Sequence, residues 1–142
     1  MNDNIVTLTN GVRVLNLKNQ TVRFDDGTIL AAYHGEKAIS RRVRNVNILP
    51  KEDLQKHLVE ILGEEVVNDG RGVHITDFFH IPREDDLFEL KRTIPDNCLI
   101  VVGRTQAMAY GLPFVDTVFA GFDETTGEKQ FRNDMFYGSK PV

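Results

Sequence analysis

Hydrophobic and polar positions alternate along the first third of the chain in the manner of strands. Val12, Val14 and Leu15 lead to Thr21-Val22-Arg23-Phe24, and Asp25-Asp26-Gly27 then precedes Thr28-Ile29-Leu30. Asp-Gly between two β-prone stretches predicts a hairpin, because glycine accepts the positive φ that tight connections need. A third strand is expected from Ala38 to Ile48.

The period then changes. Pro50 suits the first turn of a helix, and Glu52 and Asp53 suit its positive end. Leu54, Leu58, Ile61 and Leu62 build one apolar stripe that Gly63 should end. Val73 to Ile81 reads as a strand closed by Pro82, and Glu84 to Thr93 as a short amphipathic helix before Pro95. Leu99 to Val102 is short, branched and uninterrupted, the pattern of a strand buried on both faces. Arg104 to Tyr110 follows as a helix stopped by Gly111 and Pro113, and Val115 to Phe122 with Lys129 to Arg132 forms a C-terminal hairpin across Glu124 to Glu128. The expected class is α+β, a single domain over residues 1–142 with a mixed or antiparallel sheet and two or three short helices.

Composition narrows the functional classes. With 142 residues, 41% hydrophobic and 27% charged, the chain can bury a core and fold as one unit. Its single cysteine, Cys98, lies in an apolar run and permits no internal disulfide, which fits a reducing cytoplasm. No apolar run approaches the roughly 18 residues of a membrane span, and the N-terminus lacks the charge and hydropathy of a signal peptide. A net charge of -4 argues against coating a nucleic acid polymer, because such binding draws its free energy from phosphate neutralisation. Any polyanion site must be local.

Catalytic signatures are missing from the sequence. One Cys and four dispersed histidines do not form a zinc set. His74 and His80 would share one face of a strand, with Asp77 on the other. There is no Gly-x-Ser-x-Gly and no phosphate-binding glycine loop, so neither a catalytic group nor a cofactor or metal is expected. The paired carboxylates Asp25-Asp26, Glu64-Glu65 and Asp85-Asp86 read as turn or helix-start chemistry.

Positive charge is the remaining signal. On a strand, Ser40, Arg42 and Arg44 would share one face while Arg41 points away, and guanidinium forks suit phosphate oxygens. Arg104 stands between a buried strand and a helix, a junction at which α/β sheets gather ligands. Phe114, Phe119, Phe122, Phe131, Phe136 and Tyr137 crowd the C-terminal segment beside Arg132 and Asn133, and a base can stack on such rings. An exposed sheet face carrying surface arginines, with most of these rings in the core, is the competing reading.

The run Leu99-Ile100-Val101-Val102, the short helix, Asp116, the turn at Gly127 and Phe131-Arg132, with the earlier Ser40-Arg41-Arg42-Val43, resemble the phage family of Thoeris anti-defence protein one over residues 38–136. That resemblance implies a non-enzymatic, dimer-based homo-oligomer in the infected cell's cytoplasm, which sequesters a cyclic ADP-ribose isomer and releases it intact. It also implies that cyclic oligonucleotides could occupy a separate pocket. Arg132 would match the family's ligand-contacting arginine near the C-terminus, and Met108, Phe114 and Phe122 are candidates for its stacking residue. With Arg41, Arg42, Arg44, Arg104, Asp116 and Asn133 they complete the expected ligand-binding set. The alternatives are a protein that masks a host enzyme through its acidic surface, and a small nucleotide-processing enzyme using His74, Asp77 or His80.

Overall fold

A computed structural model describes residues 5–33, 47–48, 51–67, 74–76, 79–80 and 94–138. Its centre is a six-stranded mixed sheet. The strands are β1 (Ile5–Thr7), β2 (Arg13–Asn16), β6 (His74–Thr76), β8 (Leu99–Val101), β9 (Phe114–Phe122) and β10 (Lys129–Gly138), in the order β1-β2-β8-β9-β10-β6. The hairpin of β3 (Val22–Arg23) and β4 (Ile29–Leu30) and the pair of β5 (Asn47–Ile48) with β7 (Phe79–His80) stand apart from it. Helices α1 (Lys51–Leu62), α2 (Glu64–Val67) and α3 (Arg104–Tyr110) complete the described elements. The class is α+β, as expected, and the sheet is mixed.

β8 sets the architecture. It runs parallel to β2 on one side and β9 on the other, with Leu15 opposite Ile100 and Ile100 opposite Phe114. Leu99, Ile100 and Val101 are each fully buried. Side chains alternate across a strand, so Leu99 and Val101 enter one core while Ile100, with Cys98 and Val102, enters the other. Burial of each of these three side chains contributes about 1.5–3 kcal/mol.

The first core joins Val14, Leu58, Ile75, Val115 and Phe136 beneath α1 and the β3–β4 hairpin. The second joins Leu15, Phe114, Ala107 and Tyr110 beneath α3, with Tyr110 and Phe114 edge to face at 5.1 Å. α3 ends where Gly111 takes φ 73° and donates to the Ala107 carbonyl at 3.1 Å. A side chain at that φ would strain the backbone, so glycine suits the stop.

Two expectations need correction. His74 and His80 do not occupy one strand: β6 pairs with β10 in the main sheet, whereas β7 pairs with β5 in another. Their shared face, which rested on one continuous strand, is lost. The C-terminal hairpin is also longer than the pattern suggested, because β10 runs to Gly138 and gains β6 as a second neighbour. Of the strand expected over Ala38 to Ile48, only Asn47 and Ile48 fall within the described residues, and the helix expected from Glu84 to Thr93 lies outside them. Among the described residues, no helix is long and apolar enough to cross a membrane.

A polar network ties three turns together around Asp26. One carboxylate oxygen accepts from the Thr9 N–H at 3.1 Å, the Thr9 hydroxyl at 3.0 Å and Asn133 Nδ2 at 3.2 Å, and the other accepts from the Thr28 N–H at 2.9 Å. Burial works to raise the Asp26 pKa, but the backbone donations from Thr28 and Thr9, with their hydroxyls, outweigh it and hold it at about 2.

Because the folded pKa lies below the ordinary 3.8, the stabilisation is complete above that value and is lost as pH falls toward about 2. With discount for solvent screening, it is on the order of 1 kcal/mol. Urea denaturation of the wild type and Asp26→Asn should differ at neutral pH and converge across that acid window. A gap that is undiminished at pH 2 would rule out the ionised network. Gly138→Ala tests the packing at the end of β10. An added Cβ would meet Val115 Cγ1 at 2.9 Å and Leu112 Cδ2 at 3.1 Å. A loss of about 1–3 kcal/mol, seen as a lower Tm, is expected.

Candidate functional site

Four side chains from four segments meet on the α3 side of the sheet, where β2 and β8 end. Asp116 follows Phe114 by two residues on β9 and so shares its face, and Tyr137 lies directly opposite on β10. Lys18 arrives just after β2, and Arg104 opens α3 just after β8.

Lys18 is set in place by its backbone. The buried Asn16 accepts from the Lys18 N–H at 2.9 Å through Oδ1, while its Nδ2 donates to the Gln20 and Ala31 carbonyls, both at 2.9 Å. Tyr33 N–H donates to the Lys18 carbonyl at 2.8 Å. A buried amide that satisfies its partners this way holds a turn rigidly, since leaving any of them unmet would cost about 1–3 kcal/mol.

The charges converge on Asp116. Its Oδ1 accepts from the Thr117 N–H at 2.8 Å and lies 3.4 Å from Lys18 Nζ. Its Oδ2 faces Arg104 Nε at 4.0 Å, too far for a hydrogen bond. The Asp116 side chain is only 14% exposed, against 58% for Arg104. The guanidinium carbon of Arg104 sits 4.1 Å from the Tyr137 ring centroid, a cation–π geometry. At an exposed arginine such contact is worth about 0.5–1 kcal/mol and the long ion pair about 0–1 kcal/mol, so Arg104 is held lightly. Among the described residues the cluster therefore presents two cations against one carboxylate, with an aromatic plane beneath one cation. It can take an anion, and the lightly held arginine can move to meet it.

The sequence-predicted residues divide between this cluster and other duties. Arg104 and Asp116 are brought together here. Phe114 is fully buried against Tyr110 in the second core, so it packs the site's floor and offers no open ring face. Phe122 is 62% exposed, but it stacks edge to face on Phe119, whose alternation with Val115 and Thr117 places it on the first-core side. It belongs to the opposite face of the sheet from Asp116.

Arg132 grips Asp134 through two 2.9 Å bonds, and those bonds and the Asp134 charge raise its pKa above the ordinary value. Asn133 is committed to the turn network: its N–H donates to Asp25 at 3.1 Å and its carbonyl accepts from Asn10 at 2.8 Å. Both stand in the four-residue irregular stretch of β10 between Phe131 and Phe136. Arg41, Arg42 and Arg44 lie outside the described residues, as does the side chain of Met108.

Lys18 and Tyr137 were not among the residues singled out from sequence for the site. Lys18 carries the only local signal, its place just past an apolar strand. Tyr137 is one ring in a crowded aromatic segment. Among the described residues, no group of three or more His, Cys, Asp or Glu converges as a metal site. A cavity of about 420 Å³ opens at the other end of β8, lined by Glu60, Ile61, Ile94, Asp96, Cys98 and Pro113 among others. Among the described residues its lining includes two carboxylates and no cation, and it lies at the amino end of the parallel strands. Ligands of parallel sheets gather at the carboxyl end, which favours the charged cluster. Searches of protein-family models, curated proteins and solved structures returned no match to this chain.

Inorganic pyrophosphate titrated by calorimetry tests the cluster. Lys18→Ala and Arg104→Ala should each weaken binding about tenfold, the loss of one hydrogen bond to a charged group. Asp116→Asn should strengthen it by about threefold or more, because a competing negative charge is removed. Unchanged affinity in all three variants would remove the cluster as an anion site.

Proposed function

We propose that this protein binds a small phosphorylated ligand at the Lys18–Arg104–Asp116–Tyr137 cluster and sequesters it without chemical change. The observation that carries the reading is the convergence of two cations, from just past the ends of two parallel strands, on the Asp116 carboxylate, with a tyrosine ring beneath the arginine. These groups suit recognition. Lysine and arginine donate to phosphate oxygens, and an ionised carboxylate accepts from hydroxyl or amino groups.

The resemblance to the phage family extends the proposal to a nucleotide sponge, whose ligand is a cyclic ADP-ribose isomer used as an anti-phage immune signal. A homo-oligomer and a second pocket for cyclic oligonucleotides belong to the same proposal. Sequestration requires a ligand held tightly and returned intact, so the test has two parts. Calorimetry with a cyclic ADP-ribose isomer should give stoichiometric binding that the Lys18→Ala, Arg104→Ala double variant loses. Heat denaturation of the complex should then release a ligand of unchanged mass. Absence of binding, or recovery of a cleaved product, overturns the reading.

A further inference from the structure

We infer that Asn10 is a site of spontaneous covalent modification: it deamidates through its neighbour Gly11 when the β1–β2 turn opens, and the product frees that turn from β10 and the Asp26 network.

The sequence supplies the chemistry. Asn10-Gly11 is the single Asn-Gly step in the chain, and glycine, with no Cβ, leaves its backbone nitrogen least hindered and most able to swing toward the preceding side chain. The Gly11 nitrogen gives its proton to water and attacks Asn10 Cγ. The Cγ–Nδ2 bond then breaks, and Nδ2 takes up a proton and leaves as ammonia. Water opens the resulting cyclic imide at either carbonyl. Breaking its Cγ–N bond gives aspartate at position 10, and breaking its backbone C–N bond gives isoaspartate. No oxidant or reductant enters.

The fold decides when this happens. Gly11 N–H donates to the Leu8 carbonyl at 2.9 Å, and Leu8 N–H donates to the Val12 carbonyl at 2.8 Å. Asn10 is only 8% exposed, with Oδ1 accepting from the Val12 N–H at 3.1 Å and Nδ2 donating to the Asn133 carbonyl at 2.8 Å. Nucleophile and leaving group are thus both engaged, and Gly11 must leave Leu8 before it can attack. Thr9, the preceding residue, is bound to Asp26 through its N–H and its hydroxyl, so opening the turn means loosening the Asp26 network.

Conversion is a one-way release. Nδ2 is the atom that is lost, and the oxygen that replaces it sets acceptor against acceptor at the Asn133 carbonyl. The new charge also enters a cluster of turns that already holds Asp25 and Asp26. Isoaspartate goes further, adding a main-chain carbon to a turn closed by the Leu8–Val12 hydrogen bond.

Peptide mapping by mass spectrometry after incubation at neutral pH tests this. In urea Asn10 should convert faster than any other asparagine. In the folded protein it should convert about tenfold or more slowly than in urea, because the rate follows the open population of the turn. Asp26→Ala removes the Thr9 anchor and creates no new Asn-Gly step. It should speed conversion several-fold in the folded protein and leave the rate in urea unchanged. Thr9→Val, which deletes only the hydroxyl bonds, should act the same way more weakly. Asn10→Asp mimics the product and should lower the urea midpoint, less than additively with Asp26→Ala because both act on one network.

Equal rates in folded and unfolded protein, a faster asparagine in urea, a folded rate indifferent to both network variants, or an Asn10→Asp protein with the wild-type midpoint overturns the inference.

Discussion

The burial of β8 on both faces is the constraint on which the rest of this structure depends. A strand that hides Leu99, Ile100 and Val101 at once needs neighbours on either side and a cover above and below. β2 and β9 supply the neighbours, both parallel to it, and α1 and α3 contribute to the covers. A parallel pair cannot close with a tight turn, so the chain must cross from β8 to β9 over a face of the sheet. α3 is that crossing, and its first residue, Arg104, is delivered to the carboxyl end of β8 as a consequence.

The same constraint explains why the cluster draws on distant parts of the sequence. Lys18 reaches it because β2 ends beside β8, with Leu17 N–H donating to the Val101 carbonyl at 2.9 Å. Asp116 reaches it because Val102 N–H donates to the Val115 carbonyl at 2.8 Å, which pins the start of β9 to the end of β8. Tyr137 follows from antiparallel pairing with Asp116. Each contributes from a backbone that is hydrogen-bonded on the spot, whereas the Arg104 side chain alone is loosely held. A site with three set groups and one adjustable cation is suited to binding, because only the arginine must reorganise when a ligand arrives.

The opposite end of the β9–β10 hairpin serves structure. Its irregular stretch turns Asn133 toward Thr9 and Asp26, and Asp25 N–H donates to the Phe131 carbonyl at 2.8 Å, which anchors the β3–β4 turn to the main sheet. Arg23 pairs with Glu128 across the same junction. Arg132 and Asn133 are thus engaged within the fold, and Phe119 and Phe131 extend the first core outward toward the exposed Phe122.

Periodicity alone determined much of this protein. The stripe of α1, the short buried run of β8, the helix from Arg104 to Tyr110 with its glycine stop and the Asp-Gly hairpin are local signals, carried by residues a few positions apart. Arg104 was legible as a site residue for the same reason, since a strand-to-helix junction can be seen in one stretch of chain. Pairing between distant segments could not be read this way. Whether β6 and β7 shared a strand, whether Phe114 faced a ligand or the core, and where the bonds of Asn133 and Arg132 went were decided by contacts between residues up to more than a hundred positions apart. The meeting of Lys18, Asp116 and Tyr137 belongs to that second class. Backbone hydrogen bonding and burial bring them together only after strand order is set, and strand order is a property of the whole core rather than of any segment within it.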